Sequence, residues 1–203
     1  MKKTLVFIGS LIGLAALIAF TPVGGESGNF KILTDVSSVE WKGKKVGGEH
    51  VGTIKLQEGA LTVENGKITS GNITVNMGTI ENKDLSGDMK AKLEGHLKSA
   101  DFFDVSKFPE ATFKITEVKS PAKSGGKHTV TGEITIKGKT EVISFPALIK
   151  LKDGKFAATG EMTIDRSKFD VRYGSKTFFE DIGDKMIYDD FTLKFNIAGT
   201  KTK

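Results

Sequence analysis

The sequence predicts an all-β protein, an antiparallel meander of about eight strands closed into a barrel with one short α-helix. Three observations support this fold class. Several segments alternate strictly between apolar and polar residues, short turn signals separate them, and the chain of 203 residues combines 24 Gly with only 4 Pro. Alternation with a period of two is typical of strands that turn one face towards a core. The chain length suits one domain.

The predicted strands are distributed along the chain after residue 36, and the alternation is clearest in the C-terminal half. In the segment from Phe191 to Ile197, for example, every second residue is apolar. The eight predicted strands are Ser37 to Gly43, Val51 to Glu58, Lys67 to Met77, Ala111 to Val118, His128 to Ile136, Ile143 to Leu151, Phe156 to Ile164, and Phe191 to Ile197.

Three dipeptides predict tight hairpins between these strands: Asn65-Gly66, Lys137-Gly138 and Asp153-Gly154. Asn-Gly and Asp-Gly favour two-residue type I′ turns, because both central residues of such a turn have positive φ. One segment differs from this pattern. In Leu85 to Ser99 apolar residues recur four positions apart, which indicates one face of a helix that Ser86 or Asp88 could cap.

Closure of the meander into a barrel follows from two physical needs. The apolar face must be buried, and an open sheet would leave two strand edges exposed to pairing with other chains. Alternation alone does not say which face points inwards, and a membrane barrel would turn the apolar face towards lipid. The chain has one Trp and two Tyr, too few for aromatic girdles, and its polar positions are rich in Lys, Glu and Thr. We therefore expect the apolar face to point into the barrel.

The N-terminus has the pattern of a secretory leader. Two lysines precede a 17-residue stretch without charge, from Thr4 to Phe20. We expect residues 1–23 to be a signal peptide or an N-terminal anchor, residues 24–34 a linker and residues 35–203 the barrel domain. Either form of the leader predicts a periplasmic or secreted protein, and a leader that stays attached would keep it near a membrane. The absence of Cys is compatible with an oxidising compartment.

Charge and composition exclude several function classes. The formal net charge of +5 is small and dispersed, so no nucleic-acid partner is expected. The three His residues are far apart and lack metal-ligand spacing, so no metal site is predicted. The chain also lacks a phosphate-binding loop and a nucleophile elbow, and no catalytic residue or cofactor other than a bound lipid is expected.

Four sequence blocks resemble the YceI-like family of periplasmic lipid-binding proteins. The segment from His96 to Phe113, HLKSADFFDVSKFPEATF, carries the most specific signature. Ser38 to Gly43, Val130 to Thr140 and Ile164 to Phe169 agree with three further blocks in the same order. The resemblance implies an extended, lipocalin-like, eight-stranded barrel. It further implies a lumen that binds a long-chain amphiphile, such as a polyisoprenoid or a fatty acid derivative, and it implies no catalysis.

The interior of an eight-stranded barrel either packs solid or holds one slender ligand. Small residues on the inward faces suggest an open tunnel, although they could also interdigitate with large ones; they are Ala111, Gly132, Ala147, Ala158 and Gly160. Aromatic residues, Met162 and the guanidinium of Arg166 are candidates for the walls and the mouth. The candidate lumen and mouth residues are Trp41, His96, Phe102, Phe103, Phe108, Phe113, Phe145, Phe156, Met162, Arg166, Phe169 and Phe191.

Several alternatives stay open at this stage. His96 could donate a hydrogen bond near a ligand head group, or it could pack at the end of the helix. An enzyme acting on a lipid could use His96 with Asp101 or Asp104 as acid and base. The two arginines, Arg166 and Arg172, could bind an anion or form structural ion pairs with nearby aspartates. An envelope stress protein with a packed core is a further alternative, and the sequence leaves a homodimer open.

Overall fold

Alternating apolar and polar residues form nine β-strands in the computed structural model, which describes residues 25–202. The predicted signal or anchor, residues 1–23, lies outside the described part of the chain. The strands are β1 Gly28–Ile32, β2 Ser38–Lys45, β3 Gly48–Glu64, β4 Lys67–Asn82, β5 Glu110–Lys119, β6 His128–Ile136, β7 Lys139–Lys152, β8 Lys155–Asp165 and β9 Ile187–Lys201. One α-helix, α1 Gly87–Lys98, follows β4. Three 3₁₀ turns cover Thr34–Val36, Arg166–Phe169 and Gly183–Lys185.

The strands close into an antiparallel barrel in which β2 to β9 each pair with the next strand and β9 returns to pair with β2. The short strand β1 also lies between β3 and β9, in line with β2. The 3₁₀ turn Thr34–Val36 separates β1 from β2, so the two strands together occupy one strand position of the barrel. The predicted eight-stranded barrel is therefore confirmed, and the ninth strand results from that interruption.

The barrel begins earlier than the sequence analysis places it, because β1 lies inside the segment 24–34 that was expected to be a linker. Phe30 and Ile32 of β1 are each 1% exposed and belong to the hydrophobic core. Phe30 lies opposite Leu61 of β3. Residues just before β1 are also held, since Gly66 donates a backbone hydrogen bond of 2.7 Å to the carbonyl of Glu26. Two apolar residues in a short Gly-rich segment are too few to signal a strand from periodicity alone.

The three predicted hairpins have the expected conformation. Asn65 and Gly66 have φ of 50° and 75°, and the Lys137-Gly138 and Asp153-Gly154 pairs likewise have two positive φ values. Such type I′ turns match the right-handed twist of the flanking strands. The predicted strand positions are confirmed as well, with β3, β4 and β9 extending beyond their predicted bounds.

The two ends of the barrel differ. At one end, here called the hairpin end, lie the β3–β4 and β7–β8 turns, β1 and the residues that precede it. At the opposite end, here called the helix end, lie α1, the segment that follows it up to β5, and the β8–β9 connection. The helix occupies its predicted position, although Met89 of its apolar stripe is 61% exposed. Within residues 25–202 no helix is both long and apolar enough to cross a membrane.

Candidate ligand-binding cavity

The inward faces of the strands enclose an elongated cavity of about 220 Å³. It extends from Leu61 and Phe156 near the hairpin end to Phe102 and Arg166 at the helix end. Phe156 lies near the start of β8 and Arg166 directly follows its last residue, and the ten residue steps between them span roughly 33 Å along a strand. At a strand tilt of about 40° the cavity is roughly 25 Å long. It is lined almost entirely by apolar side chains.

Several inward side chains are not fully packed, which shows that the interior is hollow. Ile73, Val75, Phe113, Leu193 and Phe195 lie in the middle of their strands and face the cavity, yet each is only partly buried. In a close-packed interior such residues would have neighbours on every side. A cavity of this size far exceeds the roughly 10–15 Å³ that one water molecule needs, and its apolar walls offer water few hydrogen-bond partners.

Glycine residues in the wall keep the bore open by receiving aromatic rings. Trp41 of β2 lies directly opposite Gly52 of β3, and its indole ring occupies the space where a Cβ of that glycine would be. Phe195 lies opposite Gly160 in the same way, with ring atom Cζ 2.6 Å from the site of an added Cβ. The rings therefore lie against the wall and do not project across the cavity.

This arrangement changes the role expected for the small residues. Gly132, like Gly160, adds no free space of its own, because the ring of Phe113 lies 2.5 Å from its hypothetical Cβ. Ala111, Ala147 and Ala158 do line the cavity, as predicted. The bore thus stays open partly through short alanine side chains and partly through rings packed flat on glycines.

Most of the predicted site residues meet at the cavity. The nine that line it are Trp41, Phe102, Phe103, Phe113, Phe145, Phe156, Met162, Arg166 and Phe191. They form two aromatic clusters. Phe102 contacts Phe103 edge to face at 5.0 Å near the helix end, and Phe145 contacts both Phe113 and Phe195 at centroid distances of 5.5 and 5.6 Å in the middle of the barrel.

Three of the predicted site residues do not line the cavity, which corrects the sequence-based expectation: Phe108, Phe169 and His96. Phe108 is half-buried and packs on Gly138 at the β6–β7 turn. Phe169 is 1% exposed but does not border the cavity. Because alternation stops at Pro109 and at the end of β8, periodicity could not assign a direction to either side chain.

His96 lies one aromatic layer behind the cavity wall, in the last turn of α1. Its ring packs edge to face on Phe102 at 5.8 Å and on Tyr173 at 4.3 Å. The packing interpretation of this residue therefore describes its surroundings, although its Nε2 atom is buried and has no hydrogen-bond partner within residues 25–202. Among the residues that the structure describes, no hydrogen bond joins His96 to Asp101 or Asp104, the pair on which the enzyme alternative depends.

Arg166 is the charged residue at the helix end of the cavity, and its side chain is 2% exposed. Its Nε donates a hydrogen bond of 3.2 Å to the carbonyl of Tyr188. Nη1 donates to the carbonyls of Val171 and Tyr173 at 2.7 and 2.9 Å, and Nη2 donates to the carbonyl of Ile187 at 3.0 Å. Arg166 therefore ties the β8–β9 connection to the start of β9.

The ion-pair partner of Arg166 is Asp189, with 3.3 Å between Nη2 and Oδ1. The nearby aspartates that sequence spacing favoured as partners of the two arginines are Asp165 and Asp170. Asp165 instead accepts hydrogen bonds from Ser167. Burial lowers the pKa of Arg166, and the charges of Asp189 and Asp165 partly oppose this shift. The signal that sequence reasoning missed is a charged residue at an inward position of β9. Asp189 lies two residues before Phe191 and therefore shares its inward direction in the alternation.

Arg172 does form the predicted ion pair with Asp170, at 2.6 Å between Nε and Oδ1. The pKa of Asp170 is lowered mainly by this hydrogen bond. Unlike Arg166, Arg172 is largely exposed, with 60% of its side chain accessible. Together with Lys137, Tyr173 and Phe179 it borders a separate surface cleft of about 290 Å³ at the helix end.

The fold and the cavity together define an antiparallel, lipocalin-like β-barrel built around an elongated apolar interior. The chain belongs to the YceI-like domain family, whose sequence profile matches residues 30–199. A UPF0312 protein of Vibrio cholerae O395 is 32% identical over 146 residues, which cover 70% of this chain and 71% of that protein. A UPF0312 protein of Pseudomonas putida W619 is 33% identical over 150 residues, 72% of each chain.

Solved structures show the same architecture. BcnA of Burkholderia cenocepacia superimposes with a TM-score of 0.64 at 25% identity, covering 83% of this chain and 99% of that one. A polyisoprenoid binding domain from Saccharophagus degradans, implicated in plant cell wall breakdown, gives a TM-score of 0.63 and covers 85% of this chain and 98% of its own. At a sequence identity of 11%, this superposition shows a shared fold alone.

Proposed function

We propose that this protein binds a long-chain amphiphilic lipid, such as a polyisoprenoid, in its barrel cavity and carries or sequesters it in the bacterial envelope. The observation that carries the proposal is the long, hollow and almost wholly apolar cavity. The similar Saccharophagus degradans domain is a polyisoprenoid binding domain, which supports the same ligand class. The leader-like residues 1–23 support the envelope location.

The shape of the cavity favours a long, unbranched or methyl-branched chain. Its length of roughly 25 Å exceeds the ~15 Å depth of one leaflet of a bilayer's hydrocarbon core. Each methylene moved from water into such an interior contributes about 0.8 kcal/mol, offset by the chain entropy lost on binding. A long hydrocarbon can therefore bind with few polar contacts, and few are available along these walls.

Extraction of the purified protein tests the proposal first. The full-length chain is produced in a bacterium with its leader intact, and an organic extract of the purified protein is analysed by mass spectrometry. We expect one class of long-chain lipid in a near-stoichiometric amount. The same preparation yields the mass of the mature protein, which tests whether residues 1–23 are removed.

Titration of the delipidated protein provides a second measurement. Trp41 is the single tryptophan of the chain and lines the cavity, so its fluorescence reports occupancy. We expect saturable binding of geranylgeraniol and at least roughly 100-fold weaker binding of geraniol, which has the same head but buries ten fewer carbons. Free N-acetyltryptophanamide, titrated with the same lipids, controls for light absorption by the lipid. An extract without lipid, together with no saturable response to geranylgeraniol, would refute the proposal.

A further inference from the structure

The polar groups at the helix end of the cavity carry information about the ligand's head. Among the cavity-lining residues in the described range 25–202, Arg166 is the one with a charged side chain. A buried arginine beside a lipid cavity suggests at first a site for a phosphate or carboxylate, because its planar fork suits bidentate binding of anions. The hydrogen bonds of this particular guanidinium argue against that use.

The donors of Arg166 are already engaged by the protein. A guanidinium has five N–H groups. Four of them donate to the backbone carbonyls of Val171, Tyr173, Ile187 and Tyr188, and Nη2 also faces Oδ1 of Asp189 at 3.3 Å. An anionic head could bind Arg166 only by displacing carbonyls that would then be buried without a partner.

Asp189 makes the site still less favourable for an anion. Its Oδ1 atom is buried and accepts no hydrogen bond of good geometry, while Oδ2 accepts one of 2.6 Å from the hydroxyl of Thr177. The carboxylate compensates the charge of Arg166, so this end of the cavity is close to neutral overall. It offers no free cationic donor to an approaching group, and Asp189 itself is not among the residues that line the cavity. An anion desolvated there would have no partner, whereas an uncharged polar head loses little.

We propose that the cavity selects lipids with uncharged heads, such as polyprenyl alcohols, and discriminates against the corresponding phosphates. This inference rests on the proposed function and names the class of lipid that the same cavity accepts. The discrimination against anions is assigned to the pair of Arg166 and Asp189, because Asp189 compensates the charge of the arginine that borders the cavity.

A matched pair of ligands tests the selectivity. Delipidated protein is titrated with geranylgeraniol and with geranylgeranyl monophosphate, which have identical chains, and Trp41 fluorescence is recorded. We expect the phosphate to bind at least ten-fold more weakly, about 1.4 kcal/mol. Asp189→Asn removes the negative charge and should reduce this preference several-fold. Asp190→Asn removes the same charge from the adjacent, exposed position of β9 and should leave the preference unchanged.

The outcomes separate this inference from the function on which it rests. If neither lipid binds, the proposed function fails. If geranylgeranyl monophosphate binds as tightly as geranylgeraniol, the proposed function stands and the inference is wrong. The phosphate head group would then lie outside the barrel, for instance in the cleft beside Lys137 and Arg172. Unfolding curves of the Asp189→Asn variant establish that it is folded, and the comparison of the two lipids on the wild-type protein needs no variant.

Discussion

Replacing Ala158 with leucine would distinguish a hollow barrel from a packed one by the sign of a single free-energy change. Ala158 lies on β8, is 7% exposed and lines the cavity. Its neighbour Ala157 lies on the outer face of the same strand and is exposed. The same substitution at these two adjacent positions therefore adds the same atoms, once to the cavity and once to the outer surface.

The magnitude follows from the added hydrocarbon. Leucine has three more carbon atoms than alanine, and at about 0.8 kcal/mol each their burial contributes roughly 2.4 kcal/mol. Ordering the leucine side chain costs about 0.5–1 kcal/mol. We expect Ala158→Leu to raise the free energy of unfolding by about 1.5–2 kcal/mol, which corresponds to roughly 3–8 °C in melting temperature for a chain of this size.

The assay compares delipidated proteins, because bound lipid would stabilise the wild type in proportion to its occupancy. Urea unfolding gives the free energies, and Trp41 fluorescence gives the affinity for geranylgeraniol. Ala158→Leu should be more stable than the wild type and should bind the lipid at least ten-fold more weakly, since the new side chain takes up part of the bore. Ala157→Leu should change neither quantity appreciably.

A loss of stability would refute the reasoning. In a filled interior the three extra carbons would force neighbouring side chains out of their rotamers, which typically costs 1–3 kcal/mol. If delipidated Ala158→Leu unfolds at lower urea concentration than the wild type, the cavity is not open at this position. Unchanged lipid affinity in a stabilised variant would place the ligand outside the bore.

Three further predictions concern the elements around the cavity. Arg166→Met should lower the free energy of unfolding by about 3–5 kcal/mol in urea, because it leaves a carboxylate and several carbonyls buried without partners. Phe30→Ala should cost about 3–5 kcal/mol in the same assay, because the side chain is 1% exposed at the hairpin end. Hydrogen bonds from Lys83 and Lys90 lower the pKa of Glu81 to about 2. Because the ordinary pKa of a glutamate is 4.5, ionised Glu81 stabilises the fold above pH 4.5, and this contribution is lost as the pH falls towards 2. The Glu81→Gln variant should lack that part of the pH dependence of the free energy of unfolding.

The Arg166 and Phe30 variants each have a matched control. Arg172→Met breaks an exposed ion pair and should cost less than about 1 kcal/mol. Val36→Ala truncates a side chain that is 64% exposed and should stay within about 0.5 kcal/mol of the wild type. If Arg172→Met proves as costly as Arg166→Met, the hydrogen bonds of the buried guanidinium do not hold the β8–β9 connection. An unchanged acid-unfolding curve for Glu81→Gln would contradict the assigned pKa, and a mild effect of Phe30→Ala would mean that β1 is not part of the core.

Local patterns predicted most of this fold. Period-two alternation located eight strands, and Asn65-Gly66 and its counterparts located hairpins, because strand faces and turn conformations depend on residues adjacent in the chain. Periodicity failed at β1. Its two inward residues, Phe30 and Ile32, become a strand only because β3 and β9 are present on either side to pair with them.

The candidate site was predicted in part for the same reason. Residues within alternating strands, such as Phe113 and Phe145, were correctly directed to the interior. Phe108 and Phe169 lie in irregular segments, where sequence spacing gives no direction to a side chain. Asp189 was missed because its partner, Arg166, is 23 residues distant in the chain, and only the return of β9 beside β8 brings them together.

The sequence by itself determined that this chain forms antiparallel strands with one apolar face, since that property depends on the order of residues within each strand. Only the tertiary structure decided that side chains do not fill the enclosed space. Whether the rings of Trp41 and Phe195 fill a barrel or lie flat on its wall depends on the glycines that face them across strands, Gly52 and Gly160. Those pairs are set by strand register, which joins residues far apart in the chain.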